Sequence, residues 1–180
     1  MHTSRRDAFA SVNALPLAKV HDGKIETYGE YRRRGGELEL KANFDEDVVL
    51  IKSFPGAPPD MFDPIIHRGF RGMVLEGTGL GHVPESLFPS IRRVIQSGLT
   101  VVMVSQCLYG RVNMNVYSTG RELLNMGVIP AGDMLPETAL VKLMWVLAQT
   151  DDPKKIRELF LKNIAGELSD RSDFIEEERG

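Results

Sequence analysis

The sequence is poor in cysteine, has no long apolar run and carries no large excess of one charge. Its single cysteine, Cys107, excludes an internal disulfide framework and is typical of a reducing compartment. The most apolar runs, residues 48–51 and 99–104, are far shorter than the ~20 residues that a membrane-spanning helix needs. We therefore predict a cytoplasmic protein that makes no use of a membrane.

The small net charge limits what the surface can bind. With 22 basic and 25 acidic side chains the formal net charge is -3, which argues against a surface devoted to nucleic acid. Two short basic runs, residues 5–6 and 32–34, remain, and we interpret them as solvated surface. Hydrophobic residues make up 42% of the chain, which is enough for a folded core.

Hydrophobic runs and helical periods alternate after residue 47. Before that point four glycines interrupt any long element, and Asp22-Gly23 between two short extended runs predicts a hairpin. Strands are predicted at residues 48–54, 72–76, 100–106 and 127–129. Helices are predicted at about residues 59–67, 87–95, 119–126 and 136–149, and from 153 onward with Ile156, Leu159, Phe160 and Ile164 buried.

This alternation predicts the α/β class, with a small parallel four-stranded Rossmann-like sheet flanked by helices. The predicted parts are a hairpin-rich arm over residues 1–43, the α/β domain over residues 44–165 and an acidic tail over residues 166–180. Ligands approach such sheets at the carboxyl ends of the strands. A site is therefore expected in the loops that follow Phe54, Glu76 and Gln106.

The loop after the second strand, residues 77–82, is rich in glycine. It lies between a strand and a helix, as a dinucleotide fingerprint does, but His82 stands where that fingerprint needs its third glycine. In one interpretation the glycines allow the loop to present backbone amides and the His82 side chain to a small polar ligand. In the other interpretation the loop is a tight turn with no ligand, and the residues favour neither.

The remaining reactive side chains form no recognised catalytic or metal-binding motif. Ser105 lacks the Gly-x-Ser-x-Gly surroundings of a nucleophile elbow, so no hydrolytic triad is predicted within the chain. Cys107 follows a buried strand and is interpreted as an inert core thiol. The four histidines show no metal-ligand spacing, so no metal site is predicted. Trp145 lies in an apolar helix, where core packing or a subunit contact explains it.

Three stretches resemble the asparaginase superfamily. They are MHTSRRDAF at residues 1–9 with SVN at 11–13, EGTGLGH at 76–82, and NMGVIPAGDM at 125–134 followed by the helix that carries Lys142. Within the superfamily, residues 1–9, 117–123 and 169–173 resemble the glutaminase branch, GatD, of the archaeal glutamyl-tRNA(Gln) amidotransferases of the GatDE type. The resemblance implies an asparaginase C-terminal domain, preceded by an arm that belongs to a larger N-terminal domain.

The resemblance also implies that the catalytic residues lie outside this chain. That family uses two threonines, an aspartate and a lysine of its N-terminal domain, and all four are expected upstream of Met1. The threonine attacks the side-chain amide of the substrate, ammonia leaves and water releases the acyl group. The isolated chain is therefore expected to be inactive, as one part of a larger amidohydrolase.

In asparaginases an active site forms where the N-terminal domain of one protomer meets the C-terminal domain of its neighbour. By that resemblance, the substrate-side candidates of this chain are Gly79, Gly81, His82, Ser105, Gln106 and Tyr117. Two of them depart from the family pattern, because His82 replaces an asparagine and Tyr117 lies near the place of a glutamate.

The expected partners follow from the same resemblance. GatD forms a homodimer through its asparaginase domains and works with a partner protein, GatE, which activates misacylated Glu-tRNA(Gln) with ATP and Mg. This chain is therefore expected to bind no cofactor, and ammonia from glutamine is expected to convert Glu-tRNA(Gln) to Gln-tRNA(Gln). Two alternatives stay open: a cytoplasmic type I L-asparaginase, and a non-catalytic dimerisation or binding domain.

Overall fold

The computed structural model describes residues 4, 8–28, 31, 33 and 35–171. The chain separates into two compact units, one of residues 1–41 with 171–180 and one of residues 42–170. The boundaries predicted at residues 43 and 165 stay predictions. Several sequence features lie wholly or partly outside the described residues, namely the opening motif at 1–9, the basic runs at 5–6 and 32–34, and the acidic tail beyond 171.

The first unit contains an antiparallel hairpin. Its strands are β1 (Ala18–His21) and β2 (Lys24–Thr27), and the residues between them are Asp22 and Gly23. Both turn residues have positive φ, 49° and 75°, as the type of two-residue turn that matches the twist of a hairpin requires. The hairpin predicted from the Asp-Gly pair is confirmed.

The second unit is built on a parallel sheet of four strands. They are β3 (Val48–Lys52), β4 (Gly72–Gly77), β5 (Thr100–Ser105) and β6 (Ile129–Pro130), and their order in the sheet is β3-β4-β5-β6. Every neighbouring pair is parallel. The apolar sequence of β4 suits its place between two other strands, because its side chains are buried on both faces of the sheet. The predicted sheet is confirmed.

Five α-helices connect and follow these strands within the described residues. They are α1 (Asp63–His67), α2 (Phe88–Gln96), α3 (Ser118–Met126), α4 (Pro136–Leu147) and α5 (Pro153–Leu161). Four of them, all but α3, carry proline in the first turn, where its missing N–H group leaves no helical bond unmade. No helix in this described part has the length and apolarity that crossing a bilayer requires.

Side chains of the central strands alternate between two hydrophobic clusters. Met73 and Leu75 of β4 lie in a cluster with residues of α1, α2 and α3, whereas Val74 lies in a second cluster with residues of α4 and α5. All three side chains are completely buried, and each such burial contributes about 1.5–3 kcal/mol. Helices therefore cover both faces of the sheet, as the alternation of elements predicted.

Three local predictions of the element boundaries are wrong. The first helix begins at Asp63 rather than near residue 59, because the preceding residues form turns such as the bond from the Met61 N–H group to Pro58 O. The fourth strand begins at Ile129, because Gly127 takes a φ of 108° as the left-handed cap that ends α3. Ile164 is 40% exposed, because α5 ends before it.

Core packing was predicted for Cys107 and was one of two explanations for Trp145, and the structure bears it out only for the tryptophan. Cys107 is exposed, contrary to the expected core thiol, because it lies in irregular chain beyond the end of β5. Trp145 is half-buried and packs against the second cluster. Core packing therefore accounts for most of the Trp145 ring.

Candidate functional site

The carboxyl ends of β3, β4 and β5 lie side by side and bring two loops together. The pairing of Gly77 with Ser105 places the glycine loop, residues 77–82, beside the edge loop, residues 106–117. The edge loop contains no helix or strand. We call this end of the sheet the carboxyl edge, and all six substrate-side candidates lie on it or in these two loops.

Ser105 fastens the glycine loop to the end of β5. Its Oγ donates a hydrogen bond to Gly79 O at 2.7 Å and accepts one from the Cys107 N–H group at 3.0 Å. The side chain is buried, with 8% of its residue surface exposed. Both bonds are internal, so Ser105 shapes the carboxyl edge and does not present a free nucleophile.

Gln106 joins all three strand ends. Its Nε2 donates to Ser53 O at 2.7 Å and to Glu76 O at 2.9 Å, while its backbone N–H group donates to Gly77 O at 2.8 Å. Ser53 adds a further link, because its Oγ donates to Glu76 O at 2.9 Å. The two Nε2 donors of Gln106 are thus used to hold the strands in place.

Glycine is required at different positions of the loop for different physical reasons. A Cβ atom at Gly77 would lie 2.8 Å from Met103 Sδ, and one at Gly81 would lie 2.9 Å from Val112 Cγ1. Gly79 has open space around it but takes a φ of 52°, a conformation that is easier for glycine. The tight-turn interpretation therefore explains Gly77 and Gly81 without a ligand.

His82 closes the glycine loop and faces Tyr117. Its backbone exchanges two hydrogen bonds with Thr78, from Thr78 N to His82 O at 2.8 Å and from His82 N to Thr78 O at 2.9 Å. The imidazole meets the Tyr117 ring edge-on, with centroids 4.8 Å apart and planes at 69°. Its Nε2 is buried without a hydrogen-bond partner among the described residues. Leaving such a nitrogen unpaired costs about 1–3 kcal/mol of stability, which makes His82 Nε2 the candidate atom for a contact from outside the described residues.

An ion pair lies at the ends of β3 and β4 on the carboxyl edge. Glu76, the only acidic residue of β4, is 8% exposed, and its carboxylate lies 3.0 Å from Lys52 Nζ at the end of β3. No group of three or more His, Cys, Asp or Glu side chains within the described residues is arranged to hold a metal ion. The edge therefore offers hydrogen-bonding groups, the Lys52–Glu76 pair and the Arg111 guanidinium of the edge loop.

The sequence model of the glutaminase/asparaginase C-terminal domain family matches residues 47–160. The chain belongs to this family. The matched range contains the whole sheet, the glycine loop and the edge loop. The resemblance predicted from the sequence is confirmed, and the carboxyl edge described above is that of an asparaginase C-terminal domain.

The curated relatives are longer proteins, the GatD subunits of glutamyl-tRNA(Gln) amidotransferases. The chain is 52% identical over 177 residues to the GatD of Thermofilum pendens, covering 97% of this chain and 39% of the relative. It is 57% identical over 174 residues to the GatD of Methanothermobacter thermautotrophicus, covering 96% of this chain and 40% of the relative. The chain thus spans about two fifths of the length of these relatives.

Solved asparaginases share the fold. The L-asparaginase of Thermococcus kodakarensis superposes with a TM-score of 0.82 and 37% identity, over 89% of this chain and 49% of that one. L-asparaginase I of Vibrio cholerae superposes with a TM-score of 0.80 and 29% identity, over 90% of this chain and 50% of that one. In both, the match again covers about half of the longer protein.

Reasoning from the sequence missed several polar residues that build this asparaginase edge. Ser53 follows the last residue of β3 and Glu76 is the penultimate residue of β4, and a polar residue at the end of an apolar run was the available signal. Arg111 of the edge loop forms a hydrogen-bonded group with Ser169 and Asp133. Nothing in their spacing indicated that group.

Proposed function

We propose that this chain is the C-terminal α/β part of a glutaminase, GatD, that supplies ammonia to a tRNA-dependent amidotransferase. The identity of 52–57% to GatD proteins, over nearly the whole chain, carries the proposal. Identity to the two solved L-asparaginases is lower, 37% and 29%, so the plain asparaginase alternative is not favoured. As part of that machinery the chain is proposed to work in the cytoplasm.

In this proposal the carboxyl edge forms the substrate side of a cleft whose reactive groups come from elsewhere in the glutaminase. A threonine outside this chain attacks the carboxamide carbon of glutamine, ammonia leaves, and water then hydrolyses the acyl group. In this cleft His82 contributes a hydrogen-bonding nitrogen, and the edge loop forms part of the lining. ATP and Mg are proposed to bind the amidotransferase partner GatE, and tRNA(Gln) to be shared by the complex.

Exposed apolar side chains around the carboxyl edge support a neighbour that covers it. Phe54, Tyr109 and Tyr117 are 48%, 54% and 54% exposed. Phe54 follows the carboxyl end of β3, and the two tyrosines lie in the edge loop. Apolar rings gathered at one rim are typical of surfaces that pack against another protein. They fit a homodimer in which a neighbouring catalytic domain faces this edge.

The decisive experiment uses the complete glutaminase that contains this chain, purified together with GatE. Ammonia release is measured with glutamine and with asparagine, and formation of Gln-tRNA(Gln) is measured with ATP and Mg present. We expect ammonia release that supports tRNA-dependent transamidation. Asparagine hydrolysis with no transamidation under any condition would instead show a plain asparaginase.

The 180-residue chain alone tests the assignment of the catalytic residues. We expect no release of ammonia from glutamine or asparagine, because the two threonines, the aspartate and the lysine of the family are proposed to lie in the rest of the glutaminase. Activity of the isolated chain, after purification that excludes a host amidase, contradicts this assignment.

A further inference from the structure

An irregular segment after α5, residues 163–169, is fastened by two separate groups of polar contacts. We call this segment the strap. In the first group the Glu167 carboxylate pairs with Lys142 and accepts the backbone N–H group of Ala165 at 2.6 Å. In the second, Ser169 donates its N–H group to Asp133 Oδ1 at 3.0 Å and its hydroxyl to Asp133 Oδ2. Asp133 and Lys142 are buried, with 8% and 7% of their surfaces exposed.

The strap reaches the edge loop through Arg111. Its Nη2 donates to Ser169 O at 3.0 Å. Leu168 and Arg111 also lie against Gly132, where a Cβ atom would be 2.5 Å from Leu168 Cδ1 and 3.5 Å from Arg111 Nη2. A Cβ atom at residue 132 would therefore push the tip of the Leu168 side chain aside, so the strap and the chain at Gly132 are in close contact.

The next residues of the edge loop carry the contact on to the glycine loop. Val112 is 5% exposed, and its N–H group donates to Gly132 O at 2.8 Å. Its Cγ1 fills the space beside Gly81. The N–H group of Asn113 donates to Leu80 O at 3.0 Å. Residues 111–113 therefore touch the strap on one side and the residues that precede His82 on the other.

We propose that Arg111, Asp133 and Ser169 are positioning residues that hold the substrate side of the carboxyl edge through the strap. The edge loop has no helix or strand of its own, so its position depends on a few bonds of this kind. The Arg111 bond joins it to a segment that is itself seated on a buried carboxylate. The substrate-side role rests on the proposed glutaminase function, whereas the contact between the strap and the edge loop does not depend on that function.

Hydrogen exchange in the complete glutaminase tests the link directly. Arg111→Ala removes one hydrogen bond from a charged donor. Because the loss of such a bond makes local opening easier, exchange of the Val112 and Asn113 N–H groups should become about tenfold faster. Asp133→Asn keeps the shape of the side chain but weakens its grip on Ser169, so it should speed the same N–H groups. In the double variant these N–H groups should exchange little faster than in either single variant, because both substitutions break the same chain of contacts.

The matched control is Arg157→Ala, which removes an exposed arginine on α5 and should leave exchange in residues 106–117 unchanged. Arg111→Lys keeps a cation within reach of Ser169 O and should restore most of the protection. Unchanged exchange at Val112 and Asn113 in Arg111→Ala overturns the proposal. So do effects of the Arg111 and Asp133 variants that simply add.

Steady-state kinetics of glutamine hydrolysis test the substrate-side role. Arg111→Ala should raise KM by about five- to tenfold with kcat changed less than about twofold, and Arg111→Lys should recover KM. A fall in kcat with KM unchanged overturns the positioning role. If the parent glutaminase releases no ammonia from glutamine, the proposed function fails while the exchange result still decides whether the strap holds the loop.

Discussion

Replacing Glu167 by glutamine should destabilise the α/β unit at neutral pH. The Glu167 side chain is 13% exposed and the Lys142 side chain 6% exposed, so their ion pair is largely shielded from water. Within the described residues Lys142 Nζ also donates to Lys162 O at 2.7 Å. A glutamine would leave the ammonium without its counter-charge, and losing one partner of a buried pair costs about 3 kcal/mol.

The pKa of Glu167 adds a dependence on pH. Burial raises this pKa, but hydrogen bonds from Lys142 and from the N–H groups of Ala165 and Ile164 outweigh it and hold the pKa at about 2, against an ordinary 4.5. One pKa unit is worth about 1.4 kcal/mol, which sets a ceiling of about 3 kcal/mol. Screening by solvent lowers the expected contribution to about 1–2 kcal/mol.

The sign follows from the lowered folded-state pKa. The carboxylate contributes its full stability above pH 4.5 and loses it as the pH falls toward 2. The difference in free energy of unfolding between the parent and Glu167→Gln should therefore be constant from about pH 8 to 5. It should then shrink by about 1–2 kcal/mol by about pH 2.5.

Urea unfolding of the chain, followed by circular dichroism at several pH values, measures both effects. Glu158→Gln, an exposed position on α5, is the matched control and should change the free energy of unfolding by less than about 0.5 kcal/mol. The double variant Lys142→Met with Glu167→Gln removes the unpaired charge and should recover part of the loss. A Glu167→Gln chain as stable as the parent at neutral pH, or a difference that stays flat down to about pH 2.5, refutes the reasoning.

Three further outcomes are expected. Gly81→Ala should lower the free energy of unfolding by about 2–3 kcal/mol, because position 81 combines a φ of 99° with a close contact. Gly79→Ala, in open space, should lower it by about 1 kcal/mol. Urea denaturation compares the two variants, and equal losses would contradict the packing argument. Arg71→Ala removes a guanidinium that bridges two aspartates and should lower the free energy of unfolding by about 1 kcal/mol. Arg92→Ala, on the surface, should lower it by less than about 0.5 kcal/mol. Equal thermal stability of the two variants would exclude the bridge as a stabilising contact. His82→Ala in the complete glutaminase should raise KM for glutamine by about tenfold, since it removes one hydrogen-bonding nitrogen; unchanged kinetics would remove His82 from the substrate side.

Much of the fold could be predicted from local sequence. The near-continuous apolar run of β4 predicted a strand buried on both faces, and Asp22-Gly23 predicted the hairpin turn. Boundaries were predicted less well where one residue decides them. Gly127, for example, ends α3 in a left-handed conformation and delays the fourth strand to Ile129.

The candidate site was predicted in outline. Because the carboxyl ends of parallel strands meet at one edge, the sequence predicted that Gly79, His82 and Ser105 lie near one another. The roles of these residues were not accessible in the same way. Ser105 and Gln106 turned out to hold the strands together with bonds to backbone carbonyls, and only His82 keeps a buried nitrogen without a partner among the described residues.

The succession of strands and helices and the α/β class could be predicted from local sequence, because propensity and hydrophobic period act over a few neighbouring residues. The family followed from the resemblance of three sequence motifs. Tertiary structure alone decided which distant polar groups meet. The Arg111 bond to Ser169 joins residues 58 positions apart, and the Lys142 pair with Glu167 joins residues 25 apart. Such contacts depend on how the helices pack on the sheet, and no local pattern encodes that geometry.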